Sequence, residues 1–220
     1  MSIPAVHLAI PEGKYNPRRY SHLAYPLREQ GMPDIPLAGR SPLEGQALIR
    51  AAVNWLDVER SPRYRAHNDQ TFCNIYAYDL AYCLGCYLPR VWWSEEAVQM
   101  LLRGKAVKAV YGKTVFEQNC HALYDWFGRY GYHYNWQPCA LPEEMQAHAD
   151  QGRLVMIVAQ PATPGGHGHI TAVMPAEASD RPGDVPVQTQ AGRNNIRRFA
   201  GRWWEEPGLY GLCGAWACMA

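Results

Sequence analysis

The chain has 220 residues, 48% apolar and 19% charged, enough for one domain with a sizeable core. Its 21 Lys and Arg against 20 Asp and Glu leave a net charge of +1, which argues against nucleic acid as the main partner. No window reaches the roughly 18–20 uninterrupted apolar residues of a membrane-spanning helix.

The first twenty residues, MSIPAVHLAIPEGKYNPRRY, lack a basic n-region, a long apolar h-region and a small-residue cleavage site. No general secretory signal is expected, so the protein stays in the cytoplasm or leaves by a route that reads none. Residues 1–40 are rich in Pro, Tyr and Arg without a sustained period, and predict an irregular arm that packs on the body or on a partner. Residues 41–220 then form the domain.

Ser41-Pro42-Leu43-Glu44 opens the first helix with an N-cap, a proline at the first helical position and a capping box. Leu43, Ala47, Leu48, Ala51, Ala52, Trp55 and Leu56 predict its buried face, and Ser61-Pro62 its end. A polar stretch, Arg65–Thr71, leads into a second helix from about Cys73 to Leu84, with Cys73, Ala77, Leu80, Ala81 and Leu84 on one face and Gly85 as the stop. Shorter helices are expected after Ser94, after Thr114 (Glu117 completing a capping box, then Phe116, Cys120, Leu123 and Phe127 at helical spacing) and from Pro142.

Three β-prone runs follow, Leu154–Gln160, Ile170–Met174 and Val185–Gln190, and Trp203–Cys218 offers one more strand. Helices first and strands second predict an α+β fold with an antiparallel sheet.

Seven cysteines leave at least one thiol unpaired in a monomer. Cys83 and Cys86 form a lone C-x-x-C with no second pair at zinc-ribbon spacing, so neither metal nor cofactor is expected. Cys213 and Cys218 are close enough in sequence for a bridge to be considered. Cys73 stands out by position: a thiol at a helix N-terminus sees the positive end of the macrodipole, which favours the nucleophilic thiolate. Packing alone also places cysteines on helices. A base is offered by Gly165-Gly166-His167-Gly168-His169, which runs straight into a strand. Alternation puts His169, Thr171 and Val173 on one face, so His169 is the ring held by the sheet. His167 lies in the glycine lead-in, suited to substrate contact or to a loop or metal role. His7, His22, His67, His121, His133 and His148 are expected to be surface or structural. Gln188 and Gln190 share a face of the next strand, and Gln190 is the expected orienter of the imidazole.

The strings FCNIYAYDLAYCLG…LPR (from Phe72), HGHITAVMP (from His167) and QTQAGRNN (from Gln188) resemble motifs of the papain-like NlpC and CHAP superfamily of cysteine hydrolases. More narrowly, they resemble those of peptidoglycan amidases among interbacterial effectors and phage lysins, over roughly residues 68–200. The resemblance implies a papain-like fold, its nucleophile on a helix N-terminus packed against a small antiparallel sheet. It implies that Cys73 attacks an amide carbonyl, that His169 carries the proton to the leaving amine and that Gln190 orients it. The Cys73 backbone N–H and Gln70 would then hold the oxyanion. Cell-wall peptide is the implied substrate. An immunity protein and a secretion component are the implied partners, with delivery to a target-cell periplasm by type VI-like secretion or by phage lysis. Trp92, Trp93, Trp136, Trp203 and Trp204 are then groove candidates, with core packing as their other role. Two other readings use the same residues: a protease or transferase acting on host or neighbour-cell proteins, and a non-catalytic cell-wall binding protein.

Overall fold

The computed structural model describes residues 3–19, 24–140, 142–180 and 185–219, so His22 lies outside the described residues. The chain is mixed α+β, with five helices and two antiparallel sheets among the described residues. In chain order the elements are α1 Pro42–Leu56, α2 Cys73–Cys83, β1 Val91–Trp93, α3 Glu95–Leu102, β2 Val115–Glu117, α4 Cys120–Tyr130, β3 Trp136–Cys139, α5 Pro142–Asp150, β4 Val155–Pro161, β5 His169–Val173, β6 Val187–Gln190, β7 Ile196–Ala200 and β8 Tyr210–Cys218. The first two strands form a two-stranded antiparallel sheet of their own, with α3 in the connection between them. The other six form one sheet in the order β3-β8-β4-β5-β6-β7. It is larger than the strand runs in the sequence predict, because β3 and β7 are short and mixed in polarity.

Alternation along β4 divides the core. Met156 and Val158 face α2 and α4, while Val155 and Ile157 face α5 with Cys139, Ala215 and Ala217. Each sheet face is thus covered, and the site forms where the first helix layer meets the start of β5.

Several boundaries differ from those predicted. The Ser41 capping box forms as expected, but α1 ends at Leu56, ahead of Ser61-Pro62, because Asp57 turns left-handed at φ 46°. Its buried arc is Gly45, Ile49, Ala52, Val53 and Leu56, whereas Leu43, Ala47 and Ala51 are exposed. Backbone approach sets that rotation: a Cβ on Gly45 would collide with Gly152. Trp55 instead carries the Arg18 guanidinium 3.8 Å above its ring. No helix begins at Thr114. Its hydroxyl closes a turn by donating to Lys108 O at 2.7 Å and accepting from Val110 N at 2.8 Å, and Val115–Glu117 then pairs with β1. The helix starts at Cys120, capped by Asn119, whose side chain accepts from Ala122 N at 2.9 Å.

α2 is buried almost all round, not on one face. The reason is residues 3–19 and 24–40, which contain no helix and no strand longer than an isolated bridge, and which pack on the body. Ile3, Val6, Leu27 and Leu37 enter the main core, and Asn16 is fully buried. Beside α2, Arg63 clasps Asp79 through two bonds, 2.6 and 3.1 Å, and Tyr64 donates to the same carboxylate at 2.9 Å. The arm reaches this cluster through Asn16, which accepts from Arg63 at 3.3 Å. A buried ion pair with its oxygens hydrogen-bonded holds α2 in one register against its surroundings.

Candidate functional site

Cys73 is the first residue of α2, and no side chain caps that helix end. Ile75 N already donates to Phe72 O at 3.1 Å, so the N–H groups of Cys73 and Asn74 are those that the helix itself leaves without an acceptor at the thiol end. His169 opens β5, paired with Ala159 of β4. Gly168 just before it makes the approach possible: a Cβ there would lie 2.6 Å from Ala159 O and 2.9 Å from the Cys120 Cβ. His169 lies near enough to the Cys73 sulfur for each to shift the other's titration.

On its far side, His169 Nε2 lies 2.8 Å from Gln190 Oε1. The amide is anchored by its other end, since Gln190 Nε2 donates to Asn194 O at 3.3 Å. With the amide nitrogen committed to a carbonyl, its oxygen must accept from Nε2–H of the imidazole. Nδ1 is then the ring nitrogen that Gln190 leaves uncommitted. Gln188, the other glutamine on that face, is fully buried and plays a different part. Its Oε1 accepts from Thr171 Oγ1 at 2.7 Å and from Trp203 Nε1 at 2.9 Å. Trp203, held this way, sets its ring edge-on to His169 with centroids 4.7 Å apart.

The second sulfur at the site was not anticipated. Cys120, first residue of α4, places its thiol 3.5 Å from that of Cys73. In the sequence it reads as a packing residue at helical spacing, and nothing local marks its partner. Of the two, Cys73 is the sulfur whose pKa His169 helps to lower and Cys120 the one pushed up, so the negative charge is favoured on Cys73. A hydrogen bond from the Cys120 thiol holds Cys73 well below the ordinary thiol range; burial opposes this, and His169 and the Ile170 backbone N–H add to it. Cys120 is pushed up, by that same bond, by burial and by the Cys73 charge. For His169, burial lowers the pKa, but the Cys73 thiolate and Gln190 outweigh it and the net shift is upward. Both directions favour a thiolate–imidazolium pair.

A cavity of about 150 Å³ reaches the thiol, lined by Thr71, Cys73, Asn74, Asn119, Cys120, His121, Pro161, Gly166, His167 and Gly168. His167 is an exposed wall residue of that cavity and makes no contact in the Cys73–His169–Gln190 chain. Gln70 is not on its wall. It sits in a tight turn in which Asn68 and Asp69 both have positive φ, 49° and 58°, and His67 and Gln70 pair back to back. That turn faces a neighbouring depression with Arg193. Asn119 is the better-placed amide: its Oδ1 is committed to the α4 cap, which leaves Nδ2 as a donor on the cavity wall.

Of the tryptophans considered for a groove, Trp92, Trp93 and Trp136 lie in the core, where they bury more apolar area than a groove wall would. Trp204 packs beside Trp203 on the far sheet face. Cys213 and Cys218 do not bridge, since an odd separation on one strand sends their side chains to opposite faces; Cys218 meets Cys86 instead. All the described cysteines are free thiols. Among the described residues, no group of three or more His, Cys, Asp or Glu is gathered to hold a metal ion.

Comparisons with protein-family models, with curated proteins and with solved structures find no match to this chain.

Proposed function

We propose that this chain is a papain-like cysteine hydrolase that cuts amide bonds in bacterial cell-wall peptides. The observation that carries the hydrolase reading is the hydrogen bond from His169 to an amide, Gln190, whose orientation is fixed independently, on a ring that is electrostatically coupled to a buried helix-terminal thiol. Packing alone has no need of that order of contacts, whereas nucleophilic catalysis requires it.

In this reading the Cys73 thiolate adds to the carbonyl carbon of the scissile amide. The oxyanion is held by the Cys73 backbone N–H and by Asn119 Nδ2, in place of Gln70. The imidazolium of His169 gives its Nδ1 proton to the leaving amine, and the amine departs with the acyl group left on sulfur. Water, deprotonated by the now neutral His169, adds to the acyl carbon, the C–S bond breaks, and the acid is released with the thiolate–imidazolium pair restored. Gln190 accepts from Nε2–H throughout and keeps Nδ1 aimed at the sulfur.

The cell-wall substrate rests on the motif resemblance, and delivery into a target-cell periplasm and an immunity partner rest on it as well. Purified peptidoglycan digested with the wild type should release fragments whose masses identify the bond cut. Cys73→Ala should release less than a few per cent of them, the order of magnitude expected for a lost covalent nucleophile. Equal release by both proteins would overturn the assignment. Peptidoglycan left intact by a wild type that cleaves a general peptide substrate would leave the hydrolase and remove the cell wall.

A further inference from the structure

We propose that Cys73 and Cys120 form an oxidative modification site: hydrogen peroxide closes them into a reversible intramolecular disulfide that takes the reactive thiol out of use. The two sulfurs are 3.5 Å apart, both residues begin helices, and both line the same cavity. A disulfide needs a sulfur separation of about 2.05 Å, so closure asks for about 1.5 Å of movement, less than a change of side-chain rotamer gives a sulfur atom. A thiol serving only as a hydrogen-bond donor to Cys73 could be a hydroxyl; a second thiol adds covalent chemistry that serine lacks.

The order of events follows from which sulfur holds the charge. The Cys73 thiolate attacks one peroxide oxygen, the O–O bond breaks, and hydroxide leaves as a proton converts it to water. Cys73 is then a sulfenic acid, two electrons more oxidised, and no longer negative. Cys120 loses two of the influences that kept its proton in place, the bond to the Cys73 thiolate and the repulsion of its charge. Its sulfur attacks the sulfenic sulfur, the S–O bond breaks, and the departing hydroxide takes the Cys120 proton as a second water. Two thiols and one peroxide thus give one disulfide and two waters. Reduction by a dithiol reverses the step. The cavity of about 150 Å³ admits peroxide, and none of this depends on the substrate of the proposed hydrolase.

The test uses the reduced full-length chain, treated with hydrogen peroxide, quenched by alkylation and mapped by proteolysis and mass spectrometry. Expected is the loss of two hydrogens in the intact mass, a cross-linked peptide pair containing Cys73 and Cys120, and loss of Cys73 alkylation that dithiothreitol restores. In Cys120→Ser the same treatment should add oxygen to Cys73 and proceed to a sulfinic acid that dithiothreitol does not reverse. The proposal is overturned if wild-type Cys73 accumulates sulfinic acid as fast as in that variant. A cross-link between Cys86 and Cys218 with Cys73 still open to alkylation overturns it too. The wild-type map decides the matter even if the variant folds poorly, and it is independent of whether any peptide bond is cut.

Discussion

Two histidines two residues apart have opposite situations, and that difference is testable. His169 is bonded to the anchored amide and electrostatically coupled to the Cys73 sulfur, whereas His167 is an exposed wall residue. His169→Ala should lower kcat/KM by about 10²–10⁴-fold, the usual contribution of a positioned acid–base group. His167→Ala should keep most of the turnover and act mainly on KM. The reverse ranking in steady-state kinetics would move the base. The acidity of Cys73 makes a second residue-scale prediction. A depressed pKa means that the thiolate persists as pH falls and is lost only through that lowered value. Burial pushes Cys83 up to about 12, Cys139 to about 11 and Cys213 to about 12, so these stay protonated across neutral pH. Iodoacetamide should therefore label Cys73 first, and keep labelling it in mild acid. In His169→Ala the inflection should move to higher pH, since a cation has been removed. A Cys73 inflection no lower than those of the others, unchanged in His169→Ala, would show that sulfur and ring are uncoupled.

An element can be positioned by a charge as firmly as by apolar packing. Asp79 and Arg63 are both fully buried in side chain, and they join α2 to the turn before it and, through Asn16, to the arm. Asp79→Ala leaves the guanidinium without its counter-charge, and the expected loss is about 3–5 kcal/mol in urea or guanidinium denaturation. Replacing both partners by apolar residues of similar volume should recover part of that loss. A loss below about 1 kcal/mol, in the range of an exposed pair, would mean that the pair adds nothing to the register of α2. At the other helix of the site, Asn119 caps α4 and lines the cavity, so local folding and the site share one side chain.

For the whole molecule the irregular arm is part of the core and not an appendage to it. Ile3, Val6, Leu27 and Leu37 are buried there, each contributing about 1.5–3 kcal/mol of hydrophobic stabilisation. The arm is tied in by hydrogen bonds as well, the Tyr134 hydroxyl donating to Ile3 O at 2.5 Å and the Trp93 indole donating to Pro4 O at 2.9 Å. Deleting residues 1–40 should therefore abolish the cooperative thermal transition, because the lost burial is comparable to the whole stability of an ordinary domain, about 5–15 kcal/mol. A truncated chain that melts cooperatively at the full-length temperature would show the arm to be dispensable for folding.

What the sequence by itself determined lies within a few residues along the chain. A helix beginning at Cys73, a strand beginning near His169, and the shared face of His169, Thr171 and Val173 are products of turn residues and of periods 3.6 and 2. Gln190 could be proposed beside His169 for the same reason, since antiparallel neighbours with matched alternation present one face together. Tertiary structure alone decided the rest. Cys120 is 47 residues from Cys73, and its spacing says only that one face of its helix is buried, not which sulfur that face meets. Trp203 looks like any groove or core tryptophan until the Gln188 amide fixes its ring. Gln70 is near Cys73 in the chain and still turns away, because two left-handed residues fold the stretch before α2 back on itself. The C-terminal strand, β8, ends up inside the sheet between β3 and β4, where its burial is set by neighbours remote in sequence. Periodicity is a property of one segment, whereas contact depends on which two buried faces meet; only the packed chain specifies the second.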